Sequence, residues 1–167
     1  YHLLKGESAA AKDYRQKILL EPSTLTGSDK QALEEAKRGF NIFLIKARLD
    51  FDAGRYTKII KDLDPKKVSS IGDEDWVYQE FYYRRARAFQ ELGFKDKALG
   101  NFLKASSWPE PETYSLGNSL LQIAMLYEEN GNPKESRRYF LKALSLKSYA
   151  FHEGVHQKAR AGLERLP

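Results

Sequence analysis

Two groups of residues in this 167-residue chain have the types and spacing that chemistry needs. The first is His152-Glu153-Gly154-Val155-His156. This H-E-x-x-H spacing sets two imidazoles one helical turn apart, where they can ligate zinc while the carboxylate between them acts as a general base. A catalytic zinc also needs a third protein ligand, and only 11 residues follow His156. They supply neither the H-x-x-G-x-x-H extension nor a Glu at the distance such sites use. Gly154 further weakens the helix meant to hold the ligands. The two His are therefore expected on the surface or packed within a terminal helix, and their joint replacement by Ala is expected to leave stability unaltered. The second group is Arg48 and Arg87, each just after an Ala and six residues before a Gly. Planar guanidinium forks in equivalent places suit a carboxylate.

Other chemistry is excluded or unsupported. With no Cys there is no disulfide, thiolate nucleophile or cysteine-ligated zinc, and the redox compartment stays open. The remaining His is His2. Gly100-Asn101 lies in a helical pattern and lacks the Lys-Ser/Thr of a phosphate loop. Glu34-Glu35 and Glu128-Glu129 sit at exposed helical positions, where paired carboxylates are solvated. The charge balance of 28 Lys and Arg against 23 acids leaves +5. The surplus is small and bases alternate with acids along most helical segments, with no dense basic stripe, which argues against nucleic-acid binding. No apolar run reaches the roughly 18 residues of a membrane span. Hydrophobic residues at 41% and charged residues at 31% are globular values, and the reading is a mildly basic, soluble module. The start at Tyr1-His2-Leu3 is read as that of a piece of a longer protein, with the compartment open between cytoplasm and a bacterial envelope.

The elements that must position these residues repeat. Lys46–Gly54, Arg85–Gly93 and Ile123–Gly131 each place an Ala seven residues before a Gly, and the glycines at 54, 93 and 131 are 39 and 38 apart. Before the third Gly, Leu120, Ile123, Ala124 and Tyr127 share one helical face; after it, Asn132-Pro133 opens another helix bearing Phe140, Ala143 and Leu144. The second copy repeats the pattern with Tyr78, Tyr82, Ala86 and Phe89, then Ala98, Phe102 and Ala105. Each unit is thus a helical hairpin whose small residues let two helices approach closely. Ser28 with Gln31 has the form of a capping box opening one long helix to about Ala53. The connectors are Glu21–Gly27, Pro65–Glu74 and Trp108–Glu112.

These residues resemble the tetratricopeptide repeat superfamily. The second copy matches at Ala86, Gly93, Ala98, Phe102 and Ala105, and the third at Ala124, Gly131, Ser136, Phe140 and Ala143. The first matches at Phe43, Ala47, Gly54 and Tyr56 but has Ile59 where a small residue is usual. The resemblance implies an all-α fold, a right-handed α-α superhelix of about three hairpins, all in one domain over 1–167. Residues 1–22 read as a partial N-terminal repeat, 28–64, 75–107 and 113–147 as repeats, and 148–167 as a capping helix. Tyr114 to Leu163 also looks similar to the tetratricopeptide-repeat protein 39 and inclusion-body clearance family, and to outer-envelope repeat proteins from Bacteroidetes-like sources.

The resemblance further implies a non-catalytic protein-interaction scaffold without a cofactor, whose concave groove binds a peptide or protein segment. Carried over by position, the groove residues are Asn41, Leu44, Arg48 and Phe51, then Tyr83, Arg84, Arg87 and Gln90, then Leu121, Gln122, Met125 and Glu128. The arginines point to an acidic or C-terminal carboxylate segment as partner. The Lys and Asn set of the family's carboxylate clamp is incomplete here, which counts against a chaperone-tail adaptor. Two alternatives stand beside this reading: a structural segment of a larger solenoid with its groove filled in cis, and a metalloprotease fragment using His152, Glu153 and His156.

Overall fold

The computed structural model describes residues 2–23, 25–109 and 111–167; Tyr1, Thr24 of the first connector and Glu110 of the third lie outside the described residues. Among the described residues the chain forms helices and no strand. They are α1 (Ser8–Leu20), α2 (Gly27–Arg38), α3 (Ile42–Asp52), α4 (Tyr56–Asp62), α5 (Asp75–Glu91), α6 (Lys95–Ala105), α7 (Tyr114–Glu129), α8 (Pro133–Ser145) and α9 (His152–Arg165), with a 3-10 segment at Pro65–Ser70. None is long and apolar enough to cross a membrane.

The long helix expected from Ser28 to about Ala53 is two helices. Gly39 takes φ 93°, a conformation that side chains disfavour, and the helix stops there. Asn41 then starts the next one. Its Oδ1 accepts from the Phe43 and Leu44 amides at 3.1 and 3.3 Å, and its Nδ2 donates to the Ile71 carbonyl at 2.8 Å. The capping box at the head of α2 is also displaced by two residues. Thr26 Oγ1 accepts from the Asp29 amide at 3.1 Å and Asp29 Oδ2 accepts from the Thr26 amide at 3.0 Å, while Gln31 donates to Glu35 instead.

Three hairpins follow: α3–α4, α5–α6 and α7–α8. Their turns pass through Gly54, Gly93 and Gly131 at φ 70°, 79° and 68°, the left-handed conformation that ends a helix without a Cβ penalty. The first helices lie side by side, α3 on α5, α5 on α7 and α7 on α9, while α4, α6 and α8 occupy the outer layer between them. This is the layout of a helical-repeat solenoid, with α9 extending the inner row.

Small residues sit where the helices come closest: Ala86, Ala98, Ala105, Ala124, Ser136 and Ala143 are wholly buried, with Phe81, Phe102 and Phe140 filling the space beside them. Ile59, the departure in the first copy, is equally buried. The short helix α4 around it is closed by a side chain from the next repeat, since Arg85 donates to the carbonyls of Ile60 and Leu63. Gln79, fully buried, ties down the connector before α7. Its Nε2 donates to the carbonyls of Trp108 and Pro111 at 2.8 and 2.9 Å, and its Oε1 accepts from Thr113 at 2.6 Å. The Trp108 ring stacks on Tyr78 and Tyr82.

At the N-terminal end α1 packs on α2, and Arg15 Nε donates to the Ala36 carbonyl at 2.6 Å. At the other end α9 closes against α7 and α8 through two glycines. A Cβ on Gly162 would lie 2.2 Å from Cζ of Phe140, and one on Gly117 would lie 2.2 Å from the hydroxyl of Tyr149. Side chains are forbidden there because aromatic rings already fill the space.

Candidate functional site

The inner face holds a cleft of about 480 Å³. Three cations from three elements reach it: Arg48 of α3, Arg84 of α5 and Lys158 of α9, with Asp52 as the acid on the same wall. Its floor is a hydroxyl and amide cluster, in which Asn118 Nδ2 donates to the Tyr83 hydroxyl at 2.9 Å and to the Tyr114 hydroxyl at 2.8 Å. Burial pushes the Tyr114 hydroxyl above its ordinary pKa, so it stays a neutral donor near pH 7. Glu35 stands 3.5 Å from Arg48, and Glu80 takes Arg84 Nη2 at 2.9 Å, so both guanidiniums are held by acids behind the cleft wall. Half of the Arg48 side chain is still exposed.

The first and last parts of the chain meet at the mouth of this cleft. Phe151 carries φ 63°, the one non-glycine among the described residues in the left-handed region, an unfavourable conformation for a bulky side chain. Its ring packs edge-on against Tyr114 and sits over Gly27, where a Cβ would lie 2.5 Å from Cε1 of the ring. Beside it the Ala150 amide donates to the Glu34 carboxylate, whose pKa is nevertheless raised by its burial. On the far side of Phe151 lies a second cleft of about 650 Å³, lined by Lys30, Lys37, Lys147 and His152. Phe151 thus separates two openings and bridges α2 to the start of α9.

Of the residues expected in the groove, Arg48, Arg84 and Leu121 line the cleft. Tyr83, Leu44 and Leu121 are buried, with Tyr83 contributing its hydroxyl to the floor. Arg87 turns aside: it lies 5.1 Å over the Phe51 ring and pairs with Glu91 at 3.2 Å. Gln90 donates to Gln122 at 2.8 Å, a bond that joins α5 to α7. Glu128 accepts twice from Arg165, at 2.9 Å each, and this pairing lowers its pKa. Asn41 is occupied as the cap of α3, and Met125 is half-buried in the core around α7. Sequence reasoning missed Tyr114, Asn118, Phe151 and Lys158. The first two lie seven and three residues before Leu121 on the same helical face, a signal that was available; the last two are brought in by tertiary packing alone.

The other group that could do chemistry serves the fold. His152 and His156 lie on α9 with ring centroids 5.2 Å apart. Each is engaged by a backbone carbonyl, His152 Nδ1 with Tyr149 at 2.9 Å and His156 Nε2 with Leu146 at 2.7 Å. No three metal-ligating side chains stand together among the described residues. The expectation that both imidazoles can be lost without cost is corrected here. His156 is 7% exposed and holds the α8–α9 connection, so His156→Ala leaves the Leu146 carbonyl unpaired. A loss of about 1–3 kcal/mol in urea unfolding is expected, with His152→Ala closer to neutral; equal, negligible losses would show that the contact is unimportant.

Residues 117–149 match the tetratricopeptide repeat family. The matched stretch runs from Gly117 on α7 through α8 to Tyr149, the pair whose ring and missing Cβ lock the end of the inner row. Tetratricopeptide repeats generally mediate protein–protein interaction and are generally non-catalytic. No curated protein and no solved structure matches the chain.

Proposed function

We propose that the inner cleft captures an acidic segment of another protein, or its C-terminal carboxylate, and that the chain acts as a binding scaffold. One observation carries this reading: cations from three separate helices, Arg48, Arg84 and Lys158, converge on one cleft beside the neutral hydroxyl of Tyr114, which Asn118 holds in place by donating to it. Charge-assisted bonds from such a preorganised set contribute about 1.5–3 kcal/mol each. Arg84 takes the place that repeat equivalence gave to Arg87.

The test is fluorescence anisotropy with a labelled glutamate-rich peptide, prepared with a free and with an amidated C-terminus. Arg48→Glu with Lys158→Glu reverses two exposed charges, so helical content should stay unchanged and stability should fall by no more than about 1 kcal/mol from the lost Arg48–Glu35 pair, while affinity falls at least tenfold. A variant that binds as well as the parent removes the cleft from the mechanism. Preference for the free carboxylate would assign the site to chain ends, and indifference to internal acidic segments. The contact of Phe151 with Gly27 favours a second reading, in which the chain itself narrows the groove, as in a solenoid filled in cis. The metalloprotease reading has no such support. The expected likeness of residues 114–163 to the tetratricopeptide-repeat protein 39 group or to bacterial envelope repeats is supported by no relative and adds no partner.

A further inference from the structure

Charge is sorted by layer. The inner helices α3, α5 and α7 carry five Lys or Arg and seven Asp or Glu, a net of −2, whereas the outer helices α4, α6 and α8 carry nine against three, a net of +6. All nine outer cations are exposed. The density is highest on α8, where Lys134, Arg137, Arg138 and Lys142 share a face with Glu135 as the sole acid of the helix. Glu135 is taken by Arg138 at 2.9 Å, and among the described residues no carboxylate lies within ion-pairing distance of Lys134 or Lys142. The alternation of charge along the sequence concealed this sorting, because acids and bases close in sequence turn to different layers.

Apolar side chains protrude through the cationic surface. Leu141 is 54% exposed amid the four cations of α8, over a shallow depression. Phe94, 51% exposed, stands at the head of α6 just before Lys95, with the Lys97 ammonium 5.0 Å over its ring. Successive outer helices run in the same direction, and Lys95 reaches Glu129 at 2.8 Å, so the heads of α6 and α8 lie at one end of the molecule. The depression around Leu141 is shallow and open to solvent, so it would not enclose a peptide. Seven of its nine cations are Lys, flexible point charges suited to a diffuse anionic field more than to bidentate recognition.

We propose that this outer face binds the surface of an anionic lipid bilayer, with α8 against the headgroups and Leu141 entering the interface. Lysines beside an anionic bilayer each add roughly fivefold to partitioning, and an apolar tip adds to it by burial. This is independent of the inner cleft, which lies on the opposite face.

The test is co-sedimentation of the full chain with vesicles of phosphatidylcholine alone and of phosphatidylcholine with phosphatidylserine. Binding to the anionic vesicles only, weakened by salt, is expected. Lys134→Glu with Arg138→Glu and Lys142→Glu should lower partitioning by at least roughly a hundredfold with the circular dichroism unchanged; Lys142→Ala alone, which cannot threaten folding, should lower it severalfold. Leu141→Ser should weaken binding while keeping its salt dependence. The cleft variant Arg48→Glu with Lys158→Glu should bind vesicles as the parent does, which separates this result from that of the peptide assay. No binding to anionic vesicles, equal binding to neutral ones, or indifference to the α8 substitutions overturns the proposal. Capture of polyglutamate or a duplex oligonucleotide by α8 without vesicle binding would overturn it too, assigning the face to a protein or nucleic-acid partner.

Discussion

Phe140→Ala should lower the melting midpoint by roughly 6–20 °C. The ring is fully buried and fills the space that Gly162 leaves open on α9, so its removal empties a cavity at the junction of α8 with α9. Large-to-small changes of this kind cost about 3–5 kcal/mol, and a domain of this size loses about 2–4 °C per kcal/mol. The converse change tests the contact itself. Gly162→Leu in the parent drives a side chain into the ring, since even a Cβ would stand 2.2 Å from Cζ, and overpacking should cost about 1–3 kcal/mol or more. In the Phe140→Ala background the same leucine has a cavity to enter, and part of the lost stability should return. Calorimetry on the four proteins of this cycle gives the coupling. If Gly162→Leu costs the same in both backgrounds, the ring and the glycine are not packed together.

The hairpins were legible because their signals are local. An Ala seven residues before a Gly fixes where one helix is approached and where it turns, and Asn132-Pro133 marks the next start without any tertiary information. The break at Gly39 was not read: the expected helix from Ser28 ran to about Ala53 straight through it, because helix-forming residues stand on both sides. The decisive feature is the Asn41 side chain, which gains a cap and a bond to Ile71, 30 residues away. The choice between Arg84 and Arg87 has a similar cause. Repeat equivalence aligns Arg87 with Arg48 along the backbone, but three residues on a helix differ in direction by about 60°. The Phe51 ring and Glu91 hold Arg87 to one side, while Glu80 holds Arg84 toward the cleft. Lys158 and Phe151 enter the site because α9 continues the inner row, a placement that rests on Gly117 and Gly162 accepting aromatic rings.

Removal of residues 149–167 should cost at least several kcal/mol and abolish peptide capture together. The deleted segment buries Tyr149, Ala150, Val155 and Ala159, each under 5% exposed, and its departure uncovers Phe140 and the adjoining face of α7. At about 25 cal/mol per Å² of apolar surface, the two newly wetted faces make this the most destabilising change considered. Functional loss has a separate origin. Lys158 leaves the cleft with α9, and Phe151 leaves its mouth, so the remaining Arg48 and Arg84 face an open surface where solvent screens them. Melting of the shortened chain, followed by peptide anisotropy well below its midpoint, separates the two effects. An unchanged midpoint would make 149–167 a passive tail. A lower midpoint with intact affinity in the folded remainder would leave α9 as packing alone, and place recognition wholly on α3, α5 and α7.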